Sequence, residues 1–437
     1  MEITETKTFT KKVKSWICYD MGNSAYATTV IAAFFPIFYI EYWASSISKV
    51  DASIYLNWTL VITNITILIT APILGAVSDI NKSTKNILVF FTLTSIFFTS
   101  LLFFLDSGLW IFALIFYGLA NYSFSASQIP YDKMLTQVTT PDKYSLVSNQ
   151  GYAWGYLGGG TLFLINALMS LYPNFFGLES QAQAIKVSFL MVGVWWFVFL
   201  LPLIFNYNEK KIVTKQTTLV ANSFKNLVKT FKSIYQYKNA FIFLIAFFLF
   251  IDGAHTVIYL ASTFALNLGL ESSAIIQGLI LVQFVAFPAT LLWGYVADKY
   301  GDKLVLGLTI IVYILILFYS SLLTKSYEFY IIAASVGCVQ GGIQGSSRGL
   351  FGKLIPKEKS GEFFGLFNVF GKAGAIIGPL LVGSMLVLTS NIRIALLPII
   401  LLFILVILKK FQIQENFNNW TETKINYFLI SSIIINS

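Results

Sequence analysis

Charge is scarce in this sequence. Only 11% of its 437 residues are Asp, Glu, Lys or Arg, against about 25% in soluble domains. A 49.0 kDa chain cannot clothe a water-facing surface with so few charges. Histidine occurs once, as His255, which excludes a multi-histidine zinc or haem centre. The two cysteines, Cys18 and Cys338, lie far apart in apolar surroundings and spell neither a disulfide framework nor a metal cluster. A G-x-x-x-x-G-K-[ST] phosphate loop is also missing, which argues against ATP-driven work. No metal and no cofactor are expected.

What is present is apolar. Hydrophobic residues make up 57% of the chain and aromatic residues 17%, and the mean hydropathy is +0.74. About 20 apolar residues cross a bilayer as a helix. Twelve such segments can be counted, near 16–43, 55–77, 86–105, 109–131, 147–171, 185–206, 240–266, 273–297, 303–323, 327–351, 363–389 and 392–410. The runs are continuous rather than alternating, so a β-barrel is not expected. The first is too long for a signal-peptide core and is expected to stay in the chain. The expected fold is an all-α integral membrane protein.

The net charge of +9 would suggest nucleic acid in a soluble protein. Here it reads as orientation, and no nucleic-acid partner is expected. With a cytoplasmic N-terminus, the inner segments hold 23 Lys and Arg, while the outer loops hold only Lys49, Lys186, Lys325 and Arg393. The other two, Arg348 and Lys372, fall inside helices. This asymmetry predicts that both termini face the cytoplasm. The high Ile, Asn and Lys content hints at a bacterial source, hence the inner membrane as location.

The chain repeats itself. Gly75-Ala76-Val77-Ser78-Asp79 returns as Gly294-Tyr295-Val296-Ala297-Asp298, 219 residues later, and the same offset relates Asn64 to Gln283. Offsets of 215 and 216 relate Lys133 to Arg348, Pro141 to Pro356, and Gly155 and Gly158 to Gly371 and Gly374. The order predicts two six-helix halves arranged as parallel repeats. The predicted units are 1–206, a basic amphipathic linker 207–239, 240–410, and a cytoplasmic tail 411–437. The linker holds seven lysines and one glutamate, Glu209; it suits the anionic inner leaflet. The glycine rows in spans five and eleven suit close helix packing, and no strand precedes them as a phosphate loop would need.

Asp79 and Asp298 sit at the inner mouth. Each is expected to pair with the base at the end of a later helix, Lys133 and Arg348 respectively. Such pairs, worth about 1 kcal/mol when wet, suit a gate with two states. The alternative is that they only orient loops. Asp20, near the inner start of span one, is assigned to the same gate.

Ionisable residues at membrane depth are functional candidates by default. Asp252 and His255 are three residues apart on span seven and share a helical face. They are expected to carry a proton or to bind the amine of a zwitterionic substrate, with Thr256 beside them. Lys372 is expected to be the counter-ion of Asp252 or to hold a substrate carboxylate. Asn23, Asn64, Gln128, Gln283, Gln340, Gln344 and Asn368 offer uncharged hydrogen bonds. The competing reading makes Asp252 and Lys372 a structural pair and His255 a packing residue.

Two six-helix halves with G-x-V-x-D and following bases resemble the major facilitator superfamily. The stretch Trp16 to Pro36, the Gly151–Gly160 block and Asp252-Gly253-Ala254-His255-Thr256 resemble the branch of the autophagy-related vacuolar effluxer. So do Gln340-Gly341-Gly342-Ile343-Gln344, Ser347-Arg348, Glu362-Phe363-Phe364-Gly365 and Asn368-Val369-Phe370-Gly371-Lys372. Ser83 and Thr84 depart from the glycine and base often found in the first motif. The resemblance implies alternating access, a substrate near the midplane, and a cavity lined largely by spans one, four, seven and ten. Fungal members are associated with vacuolar amino-acid export, while bacterial members largely lack an assigned substrate. The expected function is secondary transport of a small polar solute, with amino acids as candidates and protons as the coupling ion, by a monomer. A membrane-embedded transferase would want an acidic or histidine cluster or a soluble domain; with a channel or non-transporting receptor, it forms the alternative.

Overall fold

A computed structural model describes residues 8–81, 84–209, 237–267, 272–322, 327–374 and 377–408. Most of the expected linker and the whole tail from 411 lie outside the described residues. All regular elements among the described residues are helical. Eight helical stretches are long and apolar enough to cross a membrane: Lys11–Trp43, Lys49–Asp79, Thr84–Phe104, Gln181–Asn206, Lys238–Ile258, Ala274–Tyr300, Asp302–Leu322 and Lys357–Thr389.

Spans four, five and ten, at Trp110–Val138, Tyr144–Leu171 and Glu328–Leu354, are as long but more polar. Their buried faces carry Asn121, Asp132, Asn149, Asn166 and Arg348. Lipid is not their main neighbour, and their composition says so. Span eleven is described in two helical pieces, Ser360–Ala373 and Ile377–Thr389. Span twelve is described as Ile392–Ala395 and Ile399–Leu408. Each of the twelve expected segments is therefore mainly helical where described, the twelfth being broken by a turn at 396–398.

Buried apolar side chains sort into two large clusters. One runs from Val13 to Tyr207 and the other from Ala240 to Val406. Aromatic contacts run through both, some of them stacked, as in Phe35 on Tyr117 at 3.7 Å and Phe247 on Phe367 at 4.1 Å between centroids. On the outside, Trp58, Ile62, Ile69, Phe90 and Phe97 are exposed, as a lipid-facing surface requires.

The glycine rows do what small residues do between helices. A Cβ on Gly158 would fall 2.7 Å from Met21 Cβ, and one on Gly159 would fall 2.9 Å from the Ser24 backbone. Span five thus presses on span one. Gly374 and Gly378 press on span seven in the same way, against Phe248 and Thr256. Span one also widens to π-type hydrogen bonding over Tyr26–Phe34 and Tyr39–Trp43.

Candidate functional site: a polar cavity above an arginine lock

At the end bearing the basic loops, two carboxylates join the halves. The Asp79 carboxylate accepts the backbone N–H groups of Gly361 and Glu362 at 2.9 and 2.8 Å, capping the start of span eleven where such donors lack helical partners. Lys133 holds the same carboxylate at 2.9 Å and donates to the Ser78 carbonyl at 2.7 Å. A Cβ on Gly75 would fall 2.8 Å from the Gly361 carbonyl carbon, so only glycine lets the two helices meet. The expected Asp79–Lys133 pair is therefore present, and it also reaches across the halves.

The second expected pair is not formed. Asp298 is held instead by Lys143, at the turn between spans four and five, at 2.9 Å. Lys353 in span ten takes Asp302 at 2.7 Å. The reason lies in the depth of Arg348. Its side chain is 2% exposed and turns into the other half, whereas Asp298 keeps a side chain 23% exposed at the surface.

Arg348 enters a prepared pocket. Its Nη1 lies 3.2 Å from Asp132 Oδ1 and its Nη2 3.8 Å from Asp20 Oδ2. The Nε donates to Ser148 Oγ at 2.8 Å, and Nη2 donates to the Ser148 carbonyl at 3.1 Å. The rings of Trp16, Tyr131 and Tyr152 lie 4.8, 5.2 and 4.3 Å from the guanidinium carbon. Trp16 and Tyr131 stack at 4.5 Å. Each donates to the other's backbone carbonyl, at 3.0 and 3.3 Å. A flat, delocalised cation between rings and carboxylates is the arrangement arginine suits and lysine does not.

Directly beside this lock is a cavity of about 160 Å³. It is lined by Gln128 and Asp132 of span four, Tyr152 of span five, His255 of span seven, Gln344 of span ten, and Asn368 and Lys372 of span eleven, with Phe247 and Phe367 as apolar wall. Asn368 donates to Asp132 Oδ2 at 2.9 Å. Tyr156 donates to Gln344 Oε1 at 2.9 Å, joining spans five and ten.

The sequence candidates divide accordingly. His255, Lys372, Gln344, Asn368 and Gln128 meet in the cavity. Asp252 does not line it, although it was expected to share a site with His255. Nor does Asp252 pair with Lys372. Its Oδ2 accepts the Gly378 backbone N–H at 2.7 Å, near the start of the second piece of span eleven. The three-residue spacing puts Asp252 on the flank of span seven that meets this backbone. Thr256 donates to the Asp252 carbonyl at 2.7 Å and packs on Gly378, also away from the cavity.

Asn23, Asn64 and Gln283 are likewise not among the lining residues. Asn23 is buried in span one, where its Oδ1 accepts from Ser24 at 3.4 Å. Gln283 packs where a Gly160 Cβ would stand. Span one does not line the cavity, whereas spans five and eleven do. Asp132 and Tyr152 escaped the sequence reading. Asp132 had a visible signal, an acid beside Lys133 at the inner end of span four. Tyr152 had none, because tyrosine is abundant here.

The proton:xylose symporter XylE bound to 6-bromo-6-deoxy-D-glucose superimposes with a TM-score of 0.70 at 11% identity, over 92% of this chain and 95% of that one. The human organic anion transporter MFSD10 superimposes at 0.63 and 11% identity, over 91% and 98%. The fold is that of a major facilitator transporter.

The vacuole effluxer Atg22-like family description matches residues 42–416. The uncharacterized MFS-type transporter YxiO of Bacillus subtilis is 35% identical over 91% of this chain and 94% of its own length. Autophagy-related protein 22 of Yarrowia lipolytica is 27% identical, over 59% of this chain and 48% of that protein. The chain belongs to the vacuole effluxer Atg22-like family, a branch of the major facilitator transporters. It is a multi-pass membrane transporter and not an enzyme.

Proposed function

We propose that this transporter moves a small zwitterionic solute of the amino-acid class by alternating access, in a proton-linked cycle. The supporting observation is the cavity, in which an acid, Asp132, and a base, Lys372, share a small space with four hydrogen-bonding side chains, Gln128, Gln344, Asn368 and Tyr152. The Lys372 ammonium would take a substrate carboxylate, and Asp132 the substrate amine. The amides would serve the remaining polar atoms, and Phe247 and Phe367 a short apolar side chain. His255 borders the same space and would contact the substrate. In this reading Asp79, Lys133, Lys143, Asp298, Asp20 and Arg348 close one side of the cavity, and their release opens it. The amino-acid class rests on the cavity chemistry and on the effluxer description of the family. Proton linkage is supported by the buried carboxylates and by the proton symport named for XylE. The proposed setting is a bacterial inner membrane with both termini cytoplasmic, the chain acting as a monomer.

A thermal-shift screen of the purified protein against the twenty amino acids, sugars and nucleosides tests this. A ligand that binds only the folded state at about 100 times its Kd adds about 2.7 kcal/mol. One or more amino acids should raise Tm, and Lys372→Gln should remove that rise. A rise with sugars or nucleosides alone would reject the zwitterion reading.

A further inference from the structure

Two carboxylates meet one guanidinium at the floor of the cavity, and their charges do not balance. Asp20 and Asp132 bring two negative charges and Arg348 one positive. All three side chains are at most 8% exposed. Asp132 is well served, by Arg348 at 3.2 Å and Asn368 at 2.9 Å. Asp20 Oδ2 has no hydrogen bond and stands 3.8 Å from the guanidinium. It is also shut in, because a Cβ on Gly151 would lie 2.8 Å from it. A buried negative charge in excess of the cation it shares is costly enough that such groups neutralise instead.

We propose that Asp20, Asp132 and Arg348 form the coupling site of the transporter, holding one exchangeable cation that is either a proton on the Asp20–Asp132 pair or the amine of a bound substrate. The proposal rests on the transport reading above and extends it to the coupling ion. With the proton on Asp20 Oδ2, the guanidinium stays on Asp132. When that proton leaves to water, Asp20 competes for Arg348, and Asp132, which lines the cavity, is freed to accept an ammonium. Proton and substrate amine therefore exclude each other, which is the logic of exchange. No bond other than the carboxyl O–H forms or breaks.

On span four, Lys133 is spent on Asp79, and Tyr131 donates to the Trp16 carbonyl while its hydroxyl also faces Asp20, as does Asn23 of span one. From span five, Tyr152 faces the guanidinium and Tyr156 donates to Gln344. On span one itself, Tyr19 bonds with Thr92 and Ser127. Lys372 and His255 lie across the cavity from spans eleven and seven. No ion pair joins Lys372 to either carboxylate among the described residues.

Infrared difference spectroscopy of the full chain in lipid nanodiscs tests this with the proton alone as ligand. Near neutral pH solvent-exposed carboxyls are ionised, so a protonated-carboxyl C=O band reports a buried proton. The band should be present in the wild type, lost in both Asp20→Asn and Asp132→Asn, and kept in Asp252→Asn and Lys372→Gln. Gly151→Ala, which keeps every ionisable group and crowds Asp20 Oδ2, should displace the band and its titration. It serves if the asparagine variants do not fold.

Two outcomes overturn the proposal. Absence of the band in folded wild type means that Lys372 closes the charge balance. A band that survives Asp20→Asn or ignores Gly151→Ala places the proton elsewhere. Failure of amino acids to bind would reject the substrate reading and leave this spectroscopic result intact. Where an amino acid does bind, its addition should release one proton per site in the wild type and none in Asp20→Asn.

Discussion

Lys143 holds Asp298 across the boundary between the halves, with Nζ 3.0 and 2.9 Å from the two carboxylate oxygens. Asp79 makes the matching contact on the opposite flank, capping the backbone of Gly361 and Glu362. The ends of spans two and eight therefore dock on the starts of spans eleven and five. The repeat of 219 residues is expressed as a pair of cross-half contacts, with different chemistry in each.

The Asp298 contact calls for a specific exchange of charge. Asp298→Lys should lower transport, and Lys143→Asp in the same chain should restore it. Because both side chains are partly exposed, at 31% and 23%, the pair is worth only about 1 kcal/mol. The loss should be several-fold rather than complete. Exchanging Asp298 with Arg348 should not rescue, since Arg348 serves the other half. Uptake or efflux in proteoliposomes checks both.

Asp79 is a heavier contact because it is buried and shared. Removing one partner of a buried pair costs about 3–5 kcal/mol. Asp79→Ala should therefore open this side of the bundle and raise the labelling of a cysteine at Ser360, which is buried here, by at least about tenfold. Unchanged labelling would mean that the docked helices hold without the cap.

Gly75 tests the same contact by shape alone. Gly75→Ala introduces a Cβ against the Gly361 carbonyl, with no change of charge. It should increase labelling at the same position while Tm falls little, because each half keeps its own core. A large fall in Tm with no gain in labelling would instead point to a packing role inside the half.

Arg348→Lys distinguishes a fork from a charge. Lysine keeps the positive charge but cannot serve Asp132 and both Ser148 oxygens together. Transport should fall at least about tenfold, and Arg348→Met should fall further. Equal activity in Arg348→Lys and wild type would reduce the site to charge neutralisation.

Asp252 should behave as a backbone partner rather than a cavity residue. Asp252→Asn keeps an acceptor for the Gly378 N–H and should leave most stability, whereas Asp252→Ala should lower Tm. Neither should abolish the Tm rise produced by a bound amino acid. Loss of that rise in Asp252→Asn would return Asp252 to the substrate site.

The membrane class, the helical spans and the repeat were legible in composition, in runs of about 20 apolar residues and in the recurring G-x-V-x-D. These signals are local or strictly periodic, so one dimension carries them. Five of the cavity's polar groups, His255, Lys372, Gln128, Gln344 and Asn368, were also legible, because polar side chains at membrane depth are too costly to be incidental.

Partnerships were not. Asp298 and Arg348 keep the repeat offset of Asp79 and Lys133, yet the guanidinium crosses to Asp132 and Asp20. Asp252 and His255 share a helix face by spacing but meet different neighbours, a backbone N–H and a cavity. Apolar runs, and the polar residues that interrupt them, mark the spans and the side chains out of place in a bilayer. The packing of the helices selects the partner of each buried charge. A charge binds whatever opposite group the packing of helices brings within about 4 Å, and that packing includes close glycine contacts between residues distant in the chain, such as Gly75 with Gly361 and Gly158 with Met21.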